Sequence, residues 1–147
     1  MIDPLVRSAT PLDDHQLREL EAEARAALTG QRGGEQWLVE HPVIGDSWAR
    51  YCTQADVYVG SIDDVVVAYL VAELADDAIV RIRQVWVTPE ARELGFGDEL
   101  LARAIESAKD RGAVAVEGQA LPGDRHTKNL YERAGIVARL ITTFRRL

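Results

Sequence analysis

Residues 80–98 read VRIRQVWVTPEARELGFGD, and this stretch decides the fold. A branched, apolar run of strand type passes through Thr88-Pro89 into a turn that contains Gly95 and Gly97. Beyond the turn, the apolar residues at 100, 101, 104, 105 and 108 share one helical face, and Gly112 follows as a stop signal. The stretch therefore predicts a strand, a glycine-containing turn and a helix over residues 98–111.

The strand before the turn changes its apolar phase. Val80 and Ile82 occupy even positions, whereas Val85 and Val87, beyond the polar Gln84, occupy odd ones. An inserted bulge residue moves all later side chains to the opposite face of a strand without ending it. Because Trp86 is apolar as well, the same pattern also fits a strand that is buried on both faces. The sequence leaves both interpretations open.

The glycine turn has the features of an anion site. The first N–H groups of a helix lack partners within the helix, and its dipole favours negative charge there, as in phosphate-binding turns. A dinucleotide fingerprint would need a third glycine where the chain has Leu100, and the Gly-Lys-Ser/Thr of a Walker loop is absent. The alternative is that Gly95 and Gly97 only shape a tight turn.

The remaining pattern predicts an α/β or α+β chain. Helical spacing from Leu17 to Leu28 follows Pro11 and ends before Gly30, while a short helix is expected over 47–52 within an otherwise irregular segment 29–54. A further helix is expected over 124–134. Six strands are predicted over 5–9, 56–61, 65–74, 78–87, 113–119 and 136–146, so a mixed sheet of about six strands with helices packed on it is expected.

Composition limits the class of protein. The 147 residues are 47% apolar and 28% charged, which suits a single domain spanning 1–147. The lone Cys52 excludes an intramolecular disulfide, no run is long enough to cross a bilayer, and the amino terminus lacks a signal-peptide pattern, so a cytoplasmic location is expected. A net charge of −7 argues against nucleic-acid binding. No cluster of residues has metal-ligand spacing.

The glycine turn resembles the acyl-CoA signature Arg/Gln-x-x-Gly-x-Gly/Ala of the GCN5-related N-acetyltransferase (GNAT) superfamily, through Arg92, Gly95 and Gly97. The predicted order of elements is similar to that family over nearly the whole chain. The resemblance implies a bulged fourth strand that splays from the fifth in a V-shaped slot for the pantetheine arm of acetyl-CoA. It implies no metal. The cofactor contacts that it implies are Val85, Trp86, Val87, Arg92, Glu93, Leu94, Gly95, Phe96, Gly97, Asp98, Asp124 and Lys128.

The second part of the family pattern departs from the usual residues. Tyr131 and Gly135 fit, whereas Asp124 stands in place of an asparagine and cannot donate to the cofactor as an asparagine would. Arg125 or Lys128 are alternative contacts, although both also fit solvated surface charges.

The resemblance further implies direct attack of an amine on the thioester. Tyr131 is then the candidate general acid for the leaving thiolate, since a phenol has a pKa near that of a thiol; the alternative is a packed helical aromatic. Glu117 is the tentative base. The other options for the base are Glu73, Glu35, His41 and Asp46, whereas His126 lies near the expected cofactor site and His15 on a polar helix face.

The partners expected from the resemblance are an acyl-CoA and an amine acceptor, and the chain is a candidate homodimer. The acceptor side is expected in residues 31–54, where Trp37, Trp48 and Tyr51 fit either a pocket lining or core positions. Two other functions stay open at this point, a non-catalytic acyl-CoA-binding module and a transferase acting on RNA, which the acidic charge disfavours. No membrane partner is expected.

Overall fold

The structure is a computed structural model that describes residues 5–147. Five strands and five α-helices occur in that part of the chain. In chain order they are β1 (Leu5–Ser8), α1 (Asp14–Leu28), α2 (Gly34–Glu40), α3 (Trp48–Gln54), β2 (Asp56–Ile62), β3 (Val65–Leu74), β4 (Ile79–Val87), α4 (Phe96–Asp110), β5 (Ala115–Glu117) and α5 (Arg125–Arg133).

The strands form one sheet in the order β1-β2-β3-β4-β5. Neighbours are antiparallel except β4 and β5, which are parallel. A two-residue turn at Asp63 and Asp64 joins β2 to β3, and both residues have the positive φ (48° and 67°) that such hairpins require. The predicted mixed, mostly antiparallel sheet flanked by helices is confirmed.

Helices cover both faces of the sheet. On one face, α4 and α5 bury Leu100, Leu101 and Leu130 against strand residues that include Leu70 and Ile82. On the other face, apolar side chains from α1, α3 and the strands form a second cluster, with Leu17, Leu20, Trp48, Val59, Tyr69 and Val71 among its members. The sheet thus has two buried faces, which explains the nearly continuous apolar sequences of β2 and β3.

The change of phase in β4 is a β-bulge. Val71 of β3 lies opposite Gln84, but its neighbour Ala72 lies opposite Ile82, so Arg83 is the extra residue. The bulge brings both Val80 and Val85 to the α4 side of the sheet, where they contact the same cluster. Of the two interpretations that the apolar phase left open, the structure therefore shows the bulge.

The splay between β4 and β5 is also present. Their pairing is confined to three positions, from Ile79 opposite Ala115 to Arg81 opposite Glu117. Within the described residues, β4 continues to Val87 without a partner on this side. We call the region between the unpaired end of β4, beyond Arg81, and the chain that follows Glu117 the β4–β5 opening.

Three expectations about the elements need correction. The strand predicted over 136–146 was wrong, because the structure describes no strand beyond Glu117 and the sheet has five strands instead of six. The fifth strand was predicted over 113–119 but has only three residues. Helix α2 lies in a segment that was expected to be irregular.

The missing strand and the missed helix have different causes. Branched residues over 136–147 favour a strand only when a neighbour supplies ladder hydrogen bonds and packing, and β5 is too short to do so over that length. As a result Leu140 is 87% exposed and Ile141 81%. Helix α2 was missed because Gly33 and Gly34 are usually breakers. Here the positive φ of Gly33 (81°) starts the helix.

Candidate active site

The turn between β4 and α4 presents a row of free backbone donors. Glu93 and Gly95 have positive φ angles of 70° and 91°, and α4 begins directly afterwards at Phe96. From Glu93 to Asp98, no backbone N–H donates a hydrogen bond to another group within residues 5–147. Consecutive free amides at the start of a long helix are suited to bind an anion such as a phosphate.

The turn is held in place by packing. Phe96 is buried over Gly60 of β2, where an added Cβ would lie 2.5 Å from the ring. Gly97 faces Leu130 of α5, and a Cβ there would lie 2.9 Å from its Cδ1. Of the two signature glycines, Gly95 is therefore needed for its backbone angle and Gly97 for the contact between α4 and α5.

The Arg92 side chain is directed towards the end of β4, away from the free amides of residues 93–98. Its Nε donates to the Val87 carbonyl over 3.1 Å, and its guanidinium lies 5.0 Å from the centre of the Trp86 ring. The Trp86 indole in turn donates to Glu23 of α1 over 2.7 Å. These contacts fix the end of β4. The Val87 carbonyl therefore already accepts a hydrogen bond, from Arg92.

Tyr131 lies at the opening between β4 and β5. Its ring packs on Gly118, where a Cβ would lie 2.6 Å from Cζ and 2.7 Å from the hydroxyl oxygen. Burial, with a smaller contribution from Asp124, raises the pKa of Tyr131 well above its usual value. The phenol is thus protonated at any pH near neutrality, and no partner for its hydroxyl occurs in the described part of the chain.

Two of the candidate bases lie in one row across three strands. Glu73 of β3 is opposite Arg81 of β4, which is opposite Glu117 of β5. Arg81 Nε donates to Glu117 over 3.2 Å, and its terminal nitrogens bind Asp77. Glu73 instead approaches Arg83 at 3.5 Å. The row marks the base of the opening, where the β4–β5 pairing ends.

The other candidate bases are not drawn into this row. Asp46 pairs with Arg18 at 3.2 Å, and Glu35 is exposed on α2. His41 stacks on Trp37 with ring centres 4.2 Å apart, while its Nδ1 lies 2.8 Å from the Trp37 carbonyl. His15 is exposed beside Glu19.

The first turn of α5 holds three of the predicted side chains. Asp124 caps the helix by accepting from the Thr127 amide at 3.1 Å and its hydroxyl at 2.7 Å. Lys128 donates to the Pro122 carbonyl over 2.9 Å. The Nε2 of His126 is buried without a hydrogen-bond partner in residues 5–147, and burial next to Arg92 lowers the pKa of this imidazole.

Of the aromatic residues expected on the acceptor side, Trp48 belongs to the core. It is fully buried and meets Tyr69 edge-on, with ring centres 5.4 Å apart. Trp37 and Tyr51 are only partly buried. Within the described residues, no group of three or more His, Cys, Asp or Glu side chains could hold a metal ion. Burial also raises the pKa of the Cys52 thiol to about 11, so it is a poor nucleophile.

Sequence reasoning missed Glu21, whose side chain is completely buried. The signal was available, because Glu21 lies four residues after Leu17 and one after Leu20, on the buried face of α1. A carboxylate at a core position of an amphipathic helix indicates a satisfied polar network, since an unpaired buried charge is very costly.

Comparisons with known proteins bear on the family and the fold of the chain. The model of the Acetyltransferase (GNAT) family matches residues 15–136, which is most of the chain. No curated protein sequence matches significantly. Within residues 5–147, no helix is long and apolar enough to cross a membrane.

Several solved structures share the fold. A point mutant of the BH1408 protein from Bacillus halodurans aligns with a TM-score of 0.79 at 18% identity, covering 97% of this chain and 99% of that one. A ribosomal-protein-alanine N-acetyltransferase from Brucella melitensis biovar Abortus 2308 aligns at 0.69 and 15% identity, over 99% and 98%. The aminoglycoside N-acetyltransferase AAC(6')-Iy with CoA aligns at 0.68 and 14%, over 97% and 100%.

Proposed function

Because the chain belongs to the GNAT acetyltransferase family, whose members use an acyl-CoA and an acceptor substrate, we propose that it transfers an acetyl group from acetyl-CoA directly to a primary amine of a small molecule or a protein. The observation that carries the proposal is the row of free amides from Glu93 to Asp98 beside the unpaired half of β4. The amides fit the diphosphate of CoA, and the open edge of β4 fits the amides of its pantetheine arm.

The residues proposed to hold the cofactor fall into two groups. The backbone of Val85, Trp86 and Val87 would bind the pantetheine arm, and the turn at the start of α4 would bind the diphosphate. Arg92, which now lies on Trp86, can add a charge-assisted contact after a change of rotamer. Asp124 and Lys128 are proposed only as residues at the rim, since both already have partners within α5 and the turn before it.

Bound acetyl-CoA supplies the thioester, and the chain supplies orientation and proton transfer. Tyr131 is the proposed general acid, because its hydroxyl is protonated, has no internal partner and lies at the β4–β5 opening. Glu117 is the proposed general base, acting directly or through water, because it lies where the β4–β5 pairing ends and the opening begins. Its ion pair with Arg81 fixes its orientation over 3.2 Å.

The proposal also covers the surroundings of the enzyme. The single cysteine and the charge of −7 support a cytoplasmic protein that acts without nucleic-acid or membrane partners. The exposed apolar side chains of residues 137–147 support a homodimer, since such a patch is unusual on a monomer.

Acetyl transfer to a panel of amines tests the proposed function. Three acceptors represent small cationic and protein amines: neamine, spermidine and a peptide with an amino-terminal alanine. Release of CoA that depends on one of them, reduced about 100-fold or more in kcat by Tyr131→Phe, is the expected result. Binding of acetyl-CoA without transfer to any amine would instead indicate a non-catalytic binding module.

A further inference from the structure

The buried carboxylate of Glu21 joins three elements that lie far apart in sequence. Its Oε1 accepts from the Gly45 amide at 3.0 Å and from the Trp48 indole at 3.2 Å. Its Oε2 accepts from the Ile44 amide at 2.9 Å and from the Gln84 side chain at 3.1 Å. One carboxylate on α1 thus binds the turn before α3 and the bulge of β4.

The network is specific for a carboxylate. All four partners are N–H donors, and Glu21 takes part in none of the ion pairs among the described residues. An ionised carboxyl group only accepts hydrogen bonds. The amide nitrogen of Gln84 must therefore face Glu21, and its amide oxygen must point away from Glu21. That oxygen accepts from the Tyr69 hydroxyl over 2.6 Å, which extends the network into β3.

The two ends of the network belong to different parts of the proposed site. Gln84 directly follows the bulge at Arg83 and lies in the part of β4 that no longer pairs with β5, which borders the proposed pantetheine slot. Ile44 and Gly45 lie in residues 31–54, the expected acceptor side, and Gly45 has a positive φ of 53°, which glycine adopts without strain. The backbone amides of Ile44 and Gly45 both donate hydrogen bonds to Glu21, and these are the two main-chain hydrogen bonds from the turn to α1.

We propose that Glu21 is a positioning residue that fixes the acceptor-side turn at Ile44 and Gly45 to the bulge at Gln84, and thereby aligns the amine with the thioester. The inference rests on the proposed function, because it assumes that the two ends bind acceptor and acyl-CoA. It assigns no proton transfer to Glu21, which is completely buried. Small errors in alignment reduce rates strongly, so the network is expected to affect transfer more than cofactor binding.

The test exchanges the side chains of Glu21 and Gln84 and measures acetyl transfer to the best acceptor of the amine panel. Glu21→Gln places an amide NH2 group opposite the Ile44 N–H and the Gln84 amide nitrogen and so loses two of the four hydrogen bonds, and we expect kcat/KM for the amine to fall about tenfold. The Kd for acetyl-CoA, measured by calorimetry, should stay near the wild-type value. Gln84→Glu alone places two carboxylates together and should be worse.

The double variant Glu21→Gln with Gln84→Glu provides the rescue. There the new amide can donate to the new carboxylate, which still accepts from Tyr69, so activity should recover above that of either single variant. Glu19→Gln, an exposed change on the same helix, is the control and should behave as wild type. If Glu21→Gln does not fold, Gln84→Leu leaves the contacts of Glu21 to Ile44, Gly45 and Trp48 in place, removes its link to β4 together with the Tyr69 hydrogen bond, and should also lower kcat/KM.

Two results would overturn the inference while the proposed function stands. One is an unchanged kcat/KM for the amine in a Glu21→Gln variant with a lowered Tm, which would mean a purely structural role. The other is a double variant no better than the worse single one. A wild-type protein that binds acetyl-CoA but acetylates no amine contradicts the proposed function first, and the inference with it.

Discussion

At the scale of single residues, burial decides which protonation state a side chain has. Burial removes the phenol of Tyr131 from water, which disfavours the charged phenolate. The neutral form is therefore favoured, and the pKa of Tyr131 rises. A general acid with a raised pKa does not lose its proton at mildly alkaline pH. We therefore expect kcat to show no fall assignable to Tyr131 up to about pH 10, the usual tyrosine value. A Tyr131-dependent fall near pH 8 would contradict this.

Asp13 shows the opposite shift. Two hydrogen bonds from Arg7, at 2.8 and 2.9 Å, lower the pKa of this buried carboxyl group, and the Thr10 amide adds a third at 2.8 Å. A lowered pKa in the folded state means stability that is present above the unfolded value of about 3.9 and is lost as the pH falls through the folded value.

Asp13→Asn should therefore lower the free energy of unfolding by about 1–3 kcal/mol at pH 7. The difference from wild type should shrink as the pH falls below about 4, because the carboxyl group is protonated first in the unfolded chain and then, below its lowered pKa, in the folded protein. Urea unfolding at pH 7 and at pH 3 measures both values. A difference that stays constant across this range would show that Arg7 does not set the pKa of Asp13.

At the scale of elements, the contact between β5 and α5 places the proposed acid. Gly118 follows β5 directly, and the Tyr131 ring occupies the space that a side chain there would need, 2.6 Å from the position of an added Cβ. Gly118→Ala should displace the phenol and lower kcat about tenfold or more, since misplacing a catalytic group by about 1 Å has large effects.

The same variant should leave acetyl-CoA binding close to wild type, because the free amides lie on the other side of the opening, at the start of α4. Steady-state kinetics with a calorimetric Kd separate the two effects. Gly123→Ala is a suitable control, since its added Cβ would come no closer than 3.9 Å to any neighbour. Equal loss of binding and turnover would contradict a role for Gly118 in placing Tyr131.

Sequence predicted the elements whose signals are local. The shift of apolar phase near Gln84 indicated a bulge as one of two open interpretations, and the pair Gly95 and Gly97 indicated the turn before α4, because both features depend on neighbouring residues. The strand predicted over 136–146 did not form, and Glu21 was overlooked although its position on the buried face of α1 could be read from the sequence. Whether a branched run becomes a strand depends on partners elsewhere in the chain.

At the scale of the whole molecule, residues 137–147 form the largest exposed apolar segment of the described chain. Leu140 and Ile141 are 87% and 81% exposed, Phe144 63%, and the free edge of β5 lies next to the start of the segment. In a dimer with two-fold symmetry, the apolar segment 137–147 of each subunit can pack against the unpaired β5 edge of the other.

We therefore expect a dimer in light scattering at micromolar concentration. Ile141→Lys with Phe144→Glu should shift the mass to that of a monomer, because charges on the arm oppose its burial. Val39→Lys, a single change at an exposed apolar residue of α2, is the control and should leave the mass unchanged. A wild-type monomer at high concentration would contradict the proposed homodimer.

The direct test of the proposed function is calorimetric titration of the protein with acetyl-CoA, comparing Gly95→Ala with Gly112→Ala. These glycines flank the two ends of α4 and have similar positive φ angles, 91° and 75°, so both variants carry similar backbone strain. Only Gly95 belongs to the row of free amides. Binding by wild type and Gly112→Ala, weakened at least tenfold in Gly95→Ala, is the predicted result. A folded wild-type protein that binds no acetyl-CoA would contradict the proposed acetyltransferase.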